Sequence, residues 1–455
     1  MFATLPAMLA LIVMASARPA DGEDAVNLQS RRAAGDLTRV EVTLRVEGKL
    51  KLPSGGKLVK LPLAVDGRLG YHERLLEVPA KPGGRIRSVR HYDRASAQIK
   101  IADGGIAQSL DKKYRRIAVV LDGQRSILFC PAGLLSREQL DLVDVVGNTL
   151  VVDDLLPGEL MTVGNTWTPS GDALAVLLGL DVVTQADVTG KLTSVAEGSA
   201  TLELDGAVSG AIDGVASEIK LAGTCRFDAA AGRVTSLSLK IKEDRAVGHA
   251  APGMEVAASL DVRISPKADC EPLSDAALAG LTLVPDDQRT RLRQVSAGGR
   301  VAVVHDRRWH VMDDQRDVML MRLVDRGELV AQCNVAVVPQ RSVDKIPTLT
   351  TFKAQITKVL GTNFKAFTRI RQTKTKAGLR VLQAVATGTA SDLPIQWNYF
   401  HVSDDRGNQV IFAFTLEAAL VDRFGTADWD IVNRLEFLPP KLAKKPDPAD
   451  KHRGQ

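Results

Sequence analysis

The sequence is poor in the side chains that usually carry chemistry. Aromatics make up only 4% of the 455 residues, the seven histidines are scattered, and the four cysteines, Cys130, Cys225, Cys270 and Cys333, stand far apart. No two cysteines lie within three residues of each other. That excludes the CxxC redox motif and the usual zinc knuckles, which need two thiolates on one turn. The closest histidines, His305 and His310, are offset by five, which on one strand points them to opposite faces and away from a shared metal. There is no G-x-S-x-G elbow, no G-x-x-x-x-G-K-[ST] loop, no G-x-G-x-x-G after a strand and no H-E-x-x-H, so the commonest nucleophile, phosphate, dinucleotide and zinc-protease signatures are missing. No catalytic residue, metal ligand or cofactor is assigned. The acidic doublets Asp153-Asp154, Asp313-Asp314 and Asp404-Asp405 read as turn or helix-start acids. Strong charge bias is absent too: a net charge of +5 and a pI near 8.9 do not call for nucleic acid.

Long apolar runs are scarce. The one clear case, LPAMLALIVMASA at 5–17, is short for a bilayer span and ends in Ala15-Ser16-Ala17. It reads as a secretory signal peptide, 1–20, although no basic residue precedes the run. The chain is therefore expected to be exported, periplasmic or extracellular, without a transmembrane anchor after cleavage. In that setting the cysteines could pair as Cys130–Cys225 and Cys270–Cys333, each bridge inside one proposed domain; buried free thiols in apolar strands are the equal alternative.

What the sequence does contain is β pattern. From Leu37 onward Val40, Val42, Leu44 and Val46 alternate with Arg39, Glu41, Thr43 and Arg45, the period of two of a sheet with one wet face. Turn chemistry at Ser54-Gly55-Gly56, Asp66-Gly67, Gly83-Gly84 and Asp122-Gly123 separates the runs. A helix follows near 135–146, capped by Ser136, and another from Asp172 to Leu178. Strands resume over 187–265, divided at Glu197-Gly198, Asp213-Gly214 and Ala231-Gly232. The V-x-G-K-L motif occurs at Val46–Leu50 and again at Val188–Leu192. It raises the idea of two similar halves, 37–134 and 187–265, against a coincidence of turn composition.

The 266–297 stretch, broken by Pro266, Pro272 and Pro285, reads as a linker, and a last domain spans 298–438 before a polar 439–455 tail expected to be disordered. In that domain three strands precede a helix from Thr350 to Leu360 stopped by Gly361, four strands follow, and Thr415 is placed to cap a final helix through Phe424. Eight of the nineteen aromatics fall between Leu393 and Phe437. With this order, Trp397, Tyr399, Asp404, Gly407, Val410, Phe412, Phe414, Thr415 and Phe424 form the pattern W-x-Y…D-x-x-G-x-x-V-x-F-x-F-T, a helix and a last strand. This third of the chain resembles the PsbP-like α/β/α sandwich family. The resemblance implies a fold and an accessory, non-catalytic habit, with no catalytic residues to carry over. The β-rich part resembles, more weakly, the curved sheets of exported lipoprotein-carrier-like proteins. The fold class expected is thus α+β: an antiparallel β-rich region, curved or barrel-like, followed by the sandwich.

Two basic stripes, Arg85, Arg87, Arg90 and Arg94, with Lys112, Lys113, Arg115 and Arg116 nearby, and Arg369 and Arg371 with Lys374, Lys376 and Arg380, could meet an anionic polymer, lipid head groups or an acidic partner. The plainer reading is solvated strand faces and charged edges. Trp397 and Tyr399 share a strand face and are the candidate exposed aromatic contacts. Together these features point to an exported, non-catalytic envelope protein that binds a protein or cell-surface component. A carrier of an apolar ligand, such as a lipid held under the curved sheet, is the second reading. A hydrolase without recognisable motif is the third.

Overall fold

The computed structural model describes residues 25–80 and 83–439. The expected signal peptide and all but Pro439 of the tail lie outside the described residues.

Strand β1 (Ala25–Asn27) leads into three long strands, β2 (Leu37–Ser54), β3 (Lys57–Glu77) and β4 (Ile86–Ile101), then β5 (Gly104–Ser109), β6 (Arg116–Asp122) and β7 (Arg125–Phe129). Helix α1 (Arg137–Val143), the short strands β8 (Leu160–Thr162) and β9 (Thr166–Trp167), and helix α2 (Gly171–Leu178) follow. The region closes with β10 (Val182–Ala196), β11 (Ser199–Ile212), β12 (Val215–Asp228), β13 (Arg233–Arg245) and β14 (Gly253–Pro266). These build one twelve-stranded antiparallel sheet in the order β7-β6-β4-β3-β2-β14-β13-β12-β11-β10-β9, with β5 also paired to β4. The two halves are continuous, because β2 pairs β14 from Thr38–Pro266 to Lys51–Gly253. The repeated V-x-G-K-L motif falls on central β2 and on β10 beside the edge strand, two different places in one sheet.

The turns at 55–56, 123, 198, 213–214 and 231–232 lie between strands as expected, but Asp66-Gly67 does not turn the chain. Asp66 sits inside β3, opposite Arg45 on one side and Gln98 on the other. Two flanking ladders outweigh the local turn preference.

Helices α1 and α2 fill one face of the sheet. Ser136 Oγ accepts from the Gln139 backbone N–H at 3.3 Å, and the reciprocal contact completes a capping box at the start of α1. Leu140, Val143, Leu174, Leu177 and Leu178 are each at most 3% exposed and belong to one core with Leu192, Leu202, Leu239 and Leu260 of the sheet. Burying each such leucine is worth about 1.5–3 kcal/mol, so the two helices are held against the sheet by their apolar faces.

The 266–297 stretch contains α3 (Asp275–Leu278) and β15 (Leu292–Val295) and is pinned to the sheet. Arg74 donates to the Leu273 carbonyl at 2.8 Å, Arg116 to Pro272 at 3.0 Å and Arg87 to Leu283 at 3.2 Å.

The C-terminal part contains β16 (Val301–His305), β17 (Trp309–Asp314), β18 (Val318–Asp325), β19 (Glu328–Val338), α4 (Leu349–Leu360), β20 (Phe364–Lys374), β21 (Arg380–Ala390), β22 (Leu393–Ser403), β23 (Gln409–Glu417), α5 (Val421–Phe424), α6 (Ala427–Val432) and β24 (Leu435–Phe437). Seven strands form an antiparallel sheet in the order β17-β18-β19-β23-β22-β21-β20, while β15, β16 and β24 make a separate small sheet. Phe352, Ile356 and Leu360 of α4 pack with Leu382, Ala384 and Trp397 on one face; Phe424, Ile431 and Val432 of α5 and α6 pack with Phe400 and Phe414 on the other. This is an α/β/α sandwich, and the chain as a whole is a β-rich α+β protein.

Three features depart from the sequence pattern. The stretch 300–312 is two strands bent at 306–308, not one. Thr415 lies within β23, opposite Gln332 and Trp397, so it caps nothing; the helix starts at Val421, breaks at Gly425 and resumes at Ala427. The reason is that Leu416, 3% exposed, is claimed by the sheet core. Neither bridge forms either: all four cysteines are free, Cys130 following β7 at one edge of the large sheet and Cys225 on β12 toward the other. Cys270 lies in the connecting stretch, while Cys333 is wholly buried in the second sheet.

Burial pushes the thiols of Cys130, Cys225 and Cys333 up, out of the reactive thiolate form. Cys270 alone is half-buried. A colorimetric thiol reagent should therefore modify one cysteine in native protein and four in denaturant; fewer than four in unreduced denatured protein would show that a bridge exists.

Candidate functional site

The two parts of the chain meet along a polar seam. The Arg293 backbone N–H donates to the Leu135 carbonyl at 2.9 Å, extending β15 onto the segment before α1. Arg307 reaches the Leu128 carbonyl at the end of β7 at 2.5 Å and the Thr290 carbonyl at 2.7 Å, and its own carbonyl accepts from Arg137. Farther along, Arg322 donates to the His249 carbonyl at 2.7 Å. The β11–β12 and β18–β19 hairpin tips touch backbone to backbone: a Cβ on Gly214 would lie 2.3 Å from the Gly327 nitrogen, and both glycines have positive φ. Only glycine fits either side of that contact.

Between these contacts lies a cleft of about 950 Å³. Strand β7, helix α1 and the end of α2 line one wall, and residues 287–308 line the other. Its polar groups come from both parts of the chain. Asp141, Asp144 and Asp181 are open to cleft water but crowded by protein, and burial raises all three carboxyls, Asp141 to about 6. The opposite wall brings Arg291, 6% exposed, whose Nη2 approaches Asp287 at 3.1 Å while Nε and Nη1 have no hydrogen-bond partner. Beside it stands Arg307, whose pKa burial lowers. His305, behind this wall, is pushed down to about 4 by burial and is neutral at pH 7. No group of three or more His, Cys, Asp or Glu among the described residues is arranged to hold a metal ion.

Beneath the cleft floor runs a buried polar network. Glu73 and Arg90, facing each other across β3 and β4, pair at 2.7 Å with side chains 5% and 4% exposed. Ser88 and Thr149 donate to the two oxygens of Glu73 at 2.9 and 2.6 Å. Arg90 Nη2 donates to Asn148 Oδ1 at 2.8 Å, and Asn148 in turn donates to Ser126 Oγ at 3.1 Å on the cleft wall. Burial opposes the Arg90 charge, but the Glu73 carboxylate outweighs it and holds the guanidinium well above its usual range. The Tyr71 ring lies 5.0 Å from Arg90 and completes the enclosure.

The expected basic stripe on β4 is thus not one patch. Arg90 points into the core, because a bulge between Gly70/Tyr71 and Arg94/Tyr92 shifts the alternation. Arg85 is exposed before β4, and Arg87 pairs with Glu77 at 3.3 Å. Arg94 lies on the opposite face, in a shallow groove of about 760 Å³ with Arg45, Asp66 and Arg68. Arg369 and Arg371 are exposed on the edge strand β20, where Arg371 donates to Gln383 at 2.6 Å and stacks 4.9 Å from the Trp429 ring. The aromatic-contact expectation fails for Trp397, which is 6% exposed under α4, and Tyr399 is half-buried beside it. Sequence reasoning missed the cleft entirely. Its walls come from stretches more than a hundred residues apart, and Arg291 and Arg307 lay in a stretch read as linker and strand.

The raised Asp141 carboxyl has a testable consequence. Its folded pKa, about 6, lies above the ordinary 3.8. Between those values the unfolded chain gives up its proton first, so the group's contribution to stability falls as pH rises through the window and is gone above it. Asp141→Asn should flatten the pH dependence of the urea midpoint between about 4 and 6; an unchanged slope would place the carboxyl in ordinary solvent.

No protein-family profile matches the chain, and no curated protein matches it. Solved structures show partial likeness. Cyanobacterial PsbP from Synechocystis is 12% identical, covering 32% of this chain and 92% of that one, with a TM-score of 0.27. Lipovitellin is 6% identical over 52% of this chain and 26% of that one, at 0.29, and a Bacteroides thetaiotaomicron structure is 9% identical over 32% and 48%, at 0.25. The match thus spans about half of the Bacteroides chain.

Proposed function

We propose that this chain is an exported, non-catalytic binding module of the cell envelope, which receives a charged segment of a partner protein or cell-surface component in the cleft between its two parts. One observation carries the reading: the cleft has walls from both parts, with carboxylates open to its interior on one and the largely buried arginines Arg291 and Arg307 on the other. Charged groups that remain accessible inside a concave site favour recognition of a polar partner. The packing under the curved sheet favours this reading over an apolar carrier, since α1 and α2 fill that face with fully buried leucines.

Native mass spectrometry of the protein purified from its own envelope tests the reading. A stoichiometric bound mass is expected on the wild type and should be absent from the Asp141→Ala/Asp144→Ala double variant, whose circular dichroism stays unchanged. A bound mass of lipid, or a partner retained by the double variant, would contradict it.

A further inference from the structure

We infer that the projecting tip of the β2–β3 hairpin docks this protein on the surface of an anionic phospholipid bilayer. The two strands outrun their neighbours: β14 begins opposite Lys51 and β4 ends opposite Leu63, so residues 52–59 form a two-stranded ribbon, and residues 60–62 below it lack β4 while their partners Lys49, Leu50 and Lys51 still pair β14. At ~3.3 Å per residue the tip reaches about 10 Å past one neighbour and about 20 Å past the other.

The ribbon is amphipathic by register. Leu50 faces Leu61 and Leu52 faces Val59 on one side, and Lys49 faces Pro62 and Lys51 faces Lys60 on the other. The core cluster stops short of it, at Leu44 and Ile99. Beyond that line cover thins: Leu50, Leu52 and Leu61 are half-buried, Val59 is 41% exposed and Ile106, on the same side from β5, 55%; Leu58 at the tip, opposite Pro53 on the lysine side, is 60% exposed.

Charge decides which occupant suits this face. Residues 49–63 carry four lysines and no carboxylate. Asp244 braces Lys51 at 2.5 Å and Glu255 braces Lys60 at 2.7 Å near the ribbon's base, while Lys49 and Lys57 take part in no ion pair among the described residues. Aliphatic side chains ringed by lysines suit a bilayer interface, where the apolar atoms enter the headgroup boundary, the lysine stems follow them and the ammonium groups meet lipid phosphates. Backbone pairing through Ser54–Lys57 satisfies the inner edges of the ribbon, whereas its outer edges still need water or headgroups. That limits insertion to the interface.

Flotation of the full chain with vesicles tests the proposal. Vesicles containing one-third phosphatidylglycerol in phosphatidylcholine should carry the wild type, and pure phosphatidylcholine vesicles should carry it at least tenfold less. Leu58→Ser/Val59→Ser should lower binding at least tenfold, and Lys49→Gln/Lys57→Gln about tenfold, with unchanged circular dichroism. Failure to float, equal binding to both vesicles, or binding that survives Leu58→Ser/Val59→Ser, including binding through the apolar residues 5–17, would overturn it. The outcome is independent of the cleft.

Discussion

Arg90→Ala is expected to lower the unfolding free energy by about 3–5 kcal/mol, the cost of leaving one member of a buried ion pair without its partner. The magnitude follows from enclosure: Arg90 and Glu73 are 4% and 5% exposed, so loss of the guanidinium leaves the Glu73 charge buried without a cation. Ser88 and Thr149 would still donate to the carboxylate, but neither carries charge. The same substitution removes the Nη2 donor from Asn148, which holds Ser126 on the cleft wall. The double variant Arg90→Met/Glu73→Leu should recover most of the loss, because two apolar side chains bury no unpaired charge. Urea midpoints measure both; a loss below about 1 kcal/mol for Arg90→Ala would mean that the pair is solvated.

Phe414→Ala should cost about 3–5 kcal/mol, the range for emptying a large aromatic site in a core. Phe414 is fully buried, and four rings surround it: Phe400 at 5.8 Å, Trp309 at 5.9 Å, Phe424 at 6.0 Å and Phe412 at 6.1 Å between centroids. These come from β17, β22, β23 and α5, so the site cannot collapse by moving one element. Trp309 emission should shift to the red in the folded variant. Tyr399→Ala, on the other face of β22 and only half-buried, should cost clearly less; equal costs would show that the two faces are not separately packed.

How much of this was legible in sequence depended on distance along the chain. The alternation at Val40 to Val46, the turns at Gly198 and Gly232, the Ser136 cap and the helical stripe of Phe352, Ile356, Val359 and Leu360 are local signals, and each element stands where its signal lies, although Val359 of that stripe is 75% exposed. The spacing of Phe412 and Phe414 is local too, since rings two apart on a strand face one side, and both are fully buried. Long-range competition defeated the rest. Asp66-Gly67 yields to ladders on both sides, Thr415 to the pull of Leu416 into the sheet, and Arg90 to a one-residue bulge at Asp93 that turns a surface-reading arginine inward. The cleft was illegible for the same reason. Asp141, Asp181 and Arg291 carry no shared spacing, and long-range contacts such as the joining of β15 to the segment before α1 bring them together.

Photo-crosslinking in the native envelope tests the central claim most directly. A benzophenone amino acid placed at Gln124, on the cleft rim, should yield one discrete adduct, and the same probe at Glu203, exposed on the far side of β11, should yield none. Adducts at Glu203 with nothing at Gln124 would contradict a partner seated in the cleft.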